Sequence, residues 1–317
     1  YSNDEPFLSG CETESPNDPT SKPSIETTNE PIISTDKPTE SEPKNCQCPS
    51  DYTSFSDIAE ITSGKSYCGC ELDISESVRT DDVALIIKDS FFTNCESTEN
   101  GGAIYISYKN THSGKKTTII NETLFSTCKS EISGGALYIS TTSITEETQI
   151  IGCVFEANSA TTSGGAIYYG SCEGLIQKCE FSNNVCGTGD DIYYRTGAGS
   201  ALPLVVDQNT FKKSSSAASS SLIYLDYIAN SNFEFRNNKL EITTENTYLF
   251  DFKRNSNSKS KPSSSNIKFD NNCFKPEIKN LIKDDTTQNQ ELKNYYDTTY
   301  SNDEPFLSGC ETESPND

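Results

Sequence analysis

The 317-residue chain contains no methionine, a single histidine (His112), and far too few basic residues to balance its acids. Without methionine, neither an initiator nor a signal peptide is in view, which suggests a segment cut from something longer. With one histidine and no Cys-x-x-Cys pair, the usual metal-binding spacings are absent, so no metal is expected. Lys and Arg number 25 against 47 Asp and Glu, a net charge of −22. Phosphate binding needs a basic stripe, and there is none, so nucleic acid is not an expected partner. No apolar run approaches the length of a membrane span, so no membrane insertion is expected in this segment and any anchor lies outside it. There is no phosphate-cradling loop and no nucleophile beside a histidine; no cofactor is expected.

What is present repeats. YSNDEPFLSGCETESPND fills residues 1–18 and returns unchanged at 300–317, a period of 300 − 1 = 299 residues. Chance does not produce this, so Tyr300 is read as the start of a second tandem copy. Removing the second copy's Cys310 from the 13 cysteines leaves an even 12 in one period. An even count without metal spacings favours an oxidised, extracellular or cell-surface chain, with buried free thiols as the alternative for some of them. Removing five repeated acids leaves a charge of −17 per period, a source of solubility and mutual repulsion.

Residues 1–11 read as the end of the preceding unit. Residues 12–44 form a Pro/Thr/Ser/Glu-rich linker with Ile25, Ile32 and Ile33 as its only sizeable apolar side chains. That segment cannot bury enough surface to offset its ordering entropy, so it is expected to be extended, spanning ~100 Å at about 3.1 Å per residue. Its composition also suits an O-glycosylated stalk. Residues 45–82 are a Cys-rich N-terminal cap, 83–299 the main domain, and 300–317 the next copy.

Within the main domain a shorter frame recurs: FTNCESTENGGAIYI (92–106), FSTCKSEISGGALYI (125–139) and FEANSATTSGGAIYY (155–169), then a decayed FSNNVCGTGDDIYY from Phe181. Weaker copies are placed at Phe211, Phe235 and Phe269. Short β-rich segments such as TQIIGCVF precede each Phe, and AIYIS-like segments follow each Gly pair; neither is long enough for a helix. Coils of strand, turn, strand, turn stack as an all-β parallel β-helix, a solenoid. The Gly pair fits a corner whose backbone angles other residues avoid, and the Asn of FxxN fits a turn where stacked amides bond along the axis.

GGA[IL] combined with FxxN turns resembles the repeats of chlamydial polymorphic outer-membrane proteins and related β-helical surface proteins of protists, over roughly residues 83–275. The resemblance implies a right-handed β-helix with surface or adhesive roles. The membrane barrel that ends the chlamydial proteins has no counterpart here, and those proteins do not repeat a 299-residue unit.

Equivalent residues of successive coils should form ladders. Tyr105, Tyr138, Tyr168, Tyr193 and Tyr224 align, beside Ile104, Leu137, Ile167, Ile192 and Ile223. Asp191 falls in line with Ala103, Ala136 and Ala166 on the tyrosine side; since a buried unpaired carboxylate is costly, the tyrosines are expected to face outward. Such a stripe could contact a sugar ring or a neighbouring subunit, or be only a structural ladder. Cys95 and Cys128 each follow a Phe by three residues, and Cys153 and Cys179 each precede one by two. Coil spacing of about 4.8 Å permits Cys95–Cys128 and Cys153–Cys179 disulfides, although two stacked thiols would look alike. Cys46 and Cys48 are expected to pair with Cys68 and Cys70, Cys172 with Cys186, and Cys273 with Cys310 or Cys11. Asn121, in Asn-Glu-Thr, is the only N-glycosylation sequon.

Parallel β-helices include polysaccharide-degrading enzymes, and Gly189-Asp190-Asp191 is the best acid pair here. Adjacent strand residues point to opposite faces, so these two do not span a sugar as glycoside hydrolysis requires. No enzyme is expected. The preferred expectation is a structural subunit of an extracellular fibre or filament whose partners are neighbouring copies. A cell-surface adhesin binding a glycan or protein is the alternative. Phe306, the counterpart of Phe7, is expected to help seal the end of a unit.

Overall fold

The computed structural model describes residues lying between 50 and 275, chiefly 83–108, 116–141, 146–170, 173–195, 203–214, 220–227, 232–243, 247–254 and 267–275. The linker, both copies of the eighteen-residue segment, and Phe7 and Phe306 lie outside the described residues. The described chain is an all-β parallel solenoid. Its strands fall into four parallel sheets of nine, eight, four and seven strands, visited in turn as the chain winds. One coil shows the order: Glu146–Ile151 in the first sheet, Val154–Glu156 in the second, Ser159–Ala160 in the third and Ile167–Gly170 in the fourth. The described part of residues 45–82 already belongs to these sheets, with Tyr67–Cys70 pairing Leu85–Lys88 and Val78–Asp81 pairing Ile104–Ser107.

Period-two alternation sets what faces inward. In the first sheet the inner row runs Ile87, Ile120, Ile150, Ile176, Val206, Phe235, Phe269. In the second it runs Ile74, Phe92, Phe125, Phe155, Phe181, Phe211, Leu240. The phenylalanines from Phe92 to Phe211 stack at centroid separations of 5.2, 5.0, 4.9 and 4.9 Å. Each is fully buried, worth about 1.5–3 kcal/mol of transfer free energy apiece. This row corrects the late repeat frame. Phe235 and Phe269 belong to the first sheet, and the true successors of Phe211 are Leu240 and Phe274. Loops of unequal length between the fourth and first sheets moved the apparent anchor by one strand.

The corners follow a two-residue rule. One residue takes a left-handed backbone, and the next turns its side chain inward. Before the second sheet the left-handed residues are Asp89, Glu122, Gly152, Lys178, Gln208, Asn237 and Asn271; before the third they are Asn94, Thr127, Ala157 and Asn183. The two glycines of each GGA serve different needs. Gly101, Gly134 and Gly164 have φ of +75°, +70° and +68°. The second glycine is required by contact, because a Cβ on Gly135 would sit 1.9 Å from the Gly165 carbonyl oxygen of the next coil.

Candidate functional site

Inward corner residues form two polar columns along the axis. Before the second sheet the column is Ser90, Thr123, Cys153, Cys179, Asn209, Asn238, Asn272; before the third it is Cys95, Cys128, Asn158, Asn184. Every member is buried. Each asparagine Nδ2 donates to a backbone carbonyl one coil back: Asn158 to Phe125, Asn184 to Phe155, Asn209 to Ile176, Asn238 to Val206 and Asn272 to Phe235, at 2.9–3.0 Å. Each cysteine does the same with its thiol: Cys95 reaches Ile74 O, Cys128 Phe92 O, Cys153 Ile120 O and Cys179 Ile150 O, at 3.4–3.5 Å. The stacked asparagine turns expected from FxxN are therefore present, but in two columns.

This geometry overturns the Cys95–Cys128 and Cys153–Cys179 disulfides, since all four residues are free thiols. They stand where other coils use Asn, Ser or Thr to satisfy backbone groups, and that role needs a donor. The acidity of two of them is suppressed: Cys95 is pushed up by its hydrogen bond to Cys128 and by burial, and Cys153 by burial first and then by its hydrogen bond to Cys179, while Cys128 is drawn down by its hydrogen bond with Cys95. Cys186 is also a free, buried thiol, which removes the Cys172–Cys186 pair; burial raises it to about 11. Cys68 and Cys273 are disulfide-bonded. Cys11, Cys46, Cys48, Cys172 and Cys310 lie outside the described residues, as does the side chain of Cys70.

The tyrosine stripe lies on the fourth sheet with its rings outward. Tyr105, Tyr138, Tyr168, Tyr193 and Tyr224 are in register, and consecutive rings stack at 5.2, 4.5, 5.0 and 5.2 Å with interplanar angles of 6–13°. Their faces are thus spent on one another. The outer face of Tyr105 carries the Arg79 guanidinium at 4.3 Å, itself paired with Glu99. What remains for solvent is a row of ring edges and hydroxyls. The Tyr193 hydroxyl donates to Asp226 at 2.9 Å, and the Tyr168 hydroxyl holds Arg195. Burial and then Asp226 push the Tyr193 phenol above its ordinary range. A sugar cannot stack face-on against Tyr105, Tyr138, Tyr168 or Tyr193, whose two faces are both covered.

Asn121 ends the first-sheet strand Lys116–Asn121, half-exposed between Lys88 and Ile151. The sequon's Thr123 is buried, and its hydroxyl donates to the Asn121 carbonyl at 2.9 Å.

Asp190 and Asp191 are enclosed, at 2% and 1% exposure. This corrects the placement of Asp191 beside outward tyrosines. Ala103, Ala136, Ala166 and Asp191 sit in the corner before the strand, where alternation does not operate, and all four point inward. The outward orientation of the tyrosines stands all the same. The two acids are joined by residues that sequence reading passed over. Lys213 Nζ lies 3.0 Å from Asp190 Oδ2, with both side chains 2% exposed, and also donates to the Asn184 carbonyl. Asp190 Oδ1 accepts from the Cys186 amide, and Asp191 Oδ1 from Asn184 Nδ2, both at 2.9 Å. Asp191 Oδ2 has no hydrogen-bond partner. Burial lifts Asp191 to about 7 against the opposing influence of Lys213. The signal for this cluster was the change of GGA to GDD together with a lysine two residues after the Phe211 anchor. Among the described residues the last strand of the third sheet is Val185–Cys186, and Lys213 is buried in the coil that follows.

Among the described residues no group of three or more His, Cys, Asp or Glu side chains could hold a metal ion. No helix among them is long and apolar enough to cross a membrane. Searches of family models, curated proteins and solved structures find no match to this chain.

Proposed function

We propose that the chain is one unit, with the start of the next, of an extracellular tandem-repeat filament or surface fibre, disulfide-stabilised and glycosylated. The observation that carries this reading is the unchanged return of eighteen residues after a 299-residue period that holds a parallel solenoid. A solenoid gains length by adding coils, each satisfying the backbone of its neighbour, so repetition adds reach without new chemistry. The partners are neighbouring copies of the same unit. The resemblance to repeat surface proteins agrees with this placement.

An electron micrograph of the native assembly tests it. A regular axial repeat of one unit supports the fibre, and separate units with no axial order refute it. A second reading, an adhesin, is favoured by the outward row of tyrosine hydroxyls. Such a surface would recognise a glycan or protein by hydrogen bonding along its edges. Replacing Tyr138 and Tyr168 with serine, with no change in glycan binding or in fibre contacts, would remove the stripe from both readings.

A further inference from the structure

Lys213, Asp190, Asp191 and Asn184 form an enclosed polar cluster inside the solenoid, and Lys213 and Asp190 are its buried ion pair. An ion pair so deeply buried is costly to maintain, since desolvation opposes both charges. A proton passed within the pair would remove both buried charges at once, leaving a neutral amine against a neutral carboxylic acid. Lys213 Nζ lies 3.0 Å from Asp190 Oδ2 and is steadied by the Asn184 carbonyl. The other carboxyl oxygen, Oδ1, already receives the Cys186 amide hydrogen at 2.9 Å, a donor suited to an oxygen that gathers negative charge. Asp191 stands beside them with one oxygen fixed by Asn184 and the other unpartnered.

We propose that Lys213 and Asp190 become joined by an intramolecular amide bond. The Lys213 ammonium first passes a proton to Asp190 Oδ2. The amine lone pair then forms the N–Cγ bond, and Oδ1 takes the negative charge against the Cys186 amide. The carbonyl re-forms as the Cγ–Oδ2 bond breaks, and the departing hydroxyl takes a proton from the Asp191 carboxyl. Asp191 recovers its proton from the nitrogen, and one water leaves. No oxidant, metal or cofactor is consumed. Asp191 is close enough to both partners for each to shift its titration, and its raised value keeps it substantially protonated near neutral pH. The bond closes residues 190–213 into a covalent ring and ties the coil that carries Val185–Cys186 to the coil after it. A solenoid pulled along its axis could not unwind through that ring.

The test is the intact mass of the purified full chain, denatured and reduced, followed by peptide mapping. The expected result is a mass lower by one water, with the Asp190 and Lys213 peptides recovered as one branched species. The full mass with the two peptides separate overturns the proposal, leaving only an ion pair. A loss of ammonia mapped to Asn184 and Lys213, or a loss of water mapped elsewhere, also overturns it. Lys213→Arg keeps the charge but lacks the nucleophile, and should restore the full mass. Asp191→Asn should slow appearance of the lighter species at least tenfold; an unchanged rate would remove Asp191 from the proton transfers. The wild-type mass decides the bond even if a variant fails to fold.

Discussion

Replacing Gly135 with alanine separates close packing of coils from the demand for an unusual backbone. The Gly135 Cβ would meet Gly165 O at 1.9 Å and Ser159 O at 2.6 Å, both backbone atoms of the following coil. No rotamer relieves this, so the coils must part by more than an ångström. Three ladder bonds cross there: Gly134 N to Ser163 O, Gly135 N to Gly164 O and Ala136 N to Ala166 O, at 2.9–3.0 Å. At about 1 kcal/mol net each, their loss costs about 3 kcal/mol, or about 6–12 °C of melting temperature for a domain of this size. Gly152 is the control. It has φ +63°, but its Cβ would meet only Glu122 Cγ at 3.4 Å, so alanine there costs about 1–2 kcal/mol of left-handed strain. Thermal melts followed by circular dichroism, with hydrogen exchange to locate the weakened coil, measure both variants. A Gly135→Ala protein at least as stable as Gly152→Ala would refute the reasoning.

Cys128→Asn should extend the corner column and change stability by less than ~1 kcal/mol, whereas Cys128→Val strands Phe92 O and should cost about 1–3 kcal/mol; urea denaturation compares them. Asp191 binds its proton more tightly folded, at about 7 against the ordinary 3.8, so the folded state holds more protons between those values. Stability from this group is therefore full below about pH 4 and is lost as pH rises through about 7, by on the order of 4 kcal/mol. Asp191→Asn should flatten that part of the stability–pH curve; an unchanged slope would exclude Asp191 as its source. Tyr168→Leu removes two ring stacks and should cost about 1–3 kcal/mol at about 0.5–1.5 each, while Phe155→Ala in the core should cost about 3–5 kcal/mol, both read from denaturation midpoints.

The coil was legible where the sequence kept its loops constant. Phe92, Phe125 and Phe155 stand in one row, and their Gly-Gly-Ala corners fall where the spacing put them. The frame failed at Phe235 because variable loops hide which sheet an anchor belongs to, and a phenylalanine suits the inner row of either sheet. Outward tyrosines were legible from alternation. That their faces were already covered was not, because stacking depends on register across coils and not on which side a residue faces.

The expectation of disulfides between stacked corner cysteines failed for a related reason. Spacing places Cys95 over Cys128 and Cys153 over Cys179, but does not say whether the sulfurs face each other as partners or each face a carbonyl. The columns decide it. A corner position held in turn by Ser90, Thr123, Cys153, Cys179, Asn209, Asn238 and Asn272 is under one constraint, an inward side chain able to satisfy a backbone group. Cysteine meets it only as a thiol, since oxidation would remove the donor and leave the carbonyls of Ile120 and Ile150 to find another. The column also continues without interruption from thiol to amide. The Cys179 amide donates to Asn209 Oδ1, and the Cys128 amide to Asn158 Oδ1, so each cysteine ends an asparagine ladder that it also extends. Among the described residues, covalent reinforcement outside the columns is held by Cys68 and Cys273 toward the ends of the solenoid, and the amide proposed between Lys213 and Asp190 adds a link in its interior.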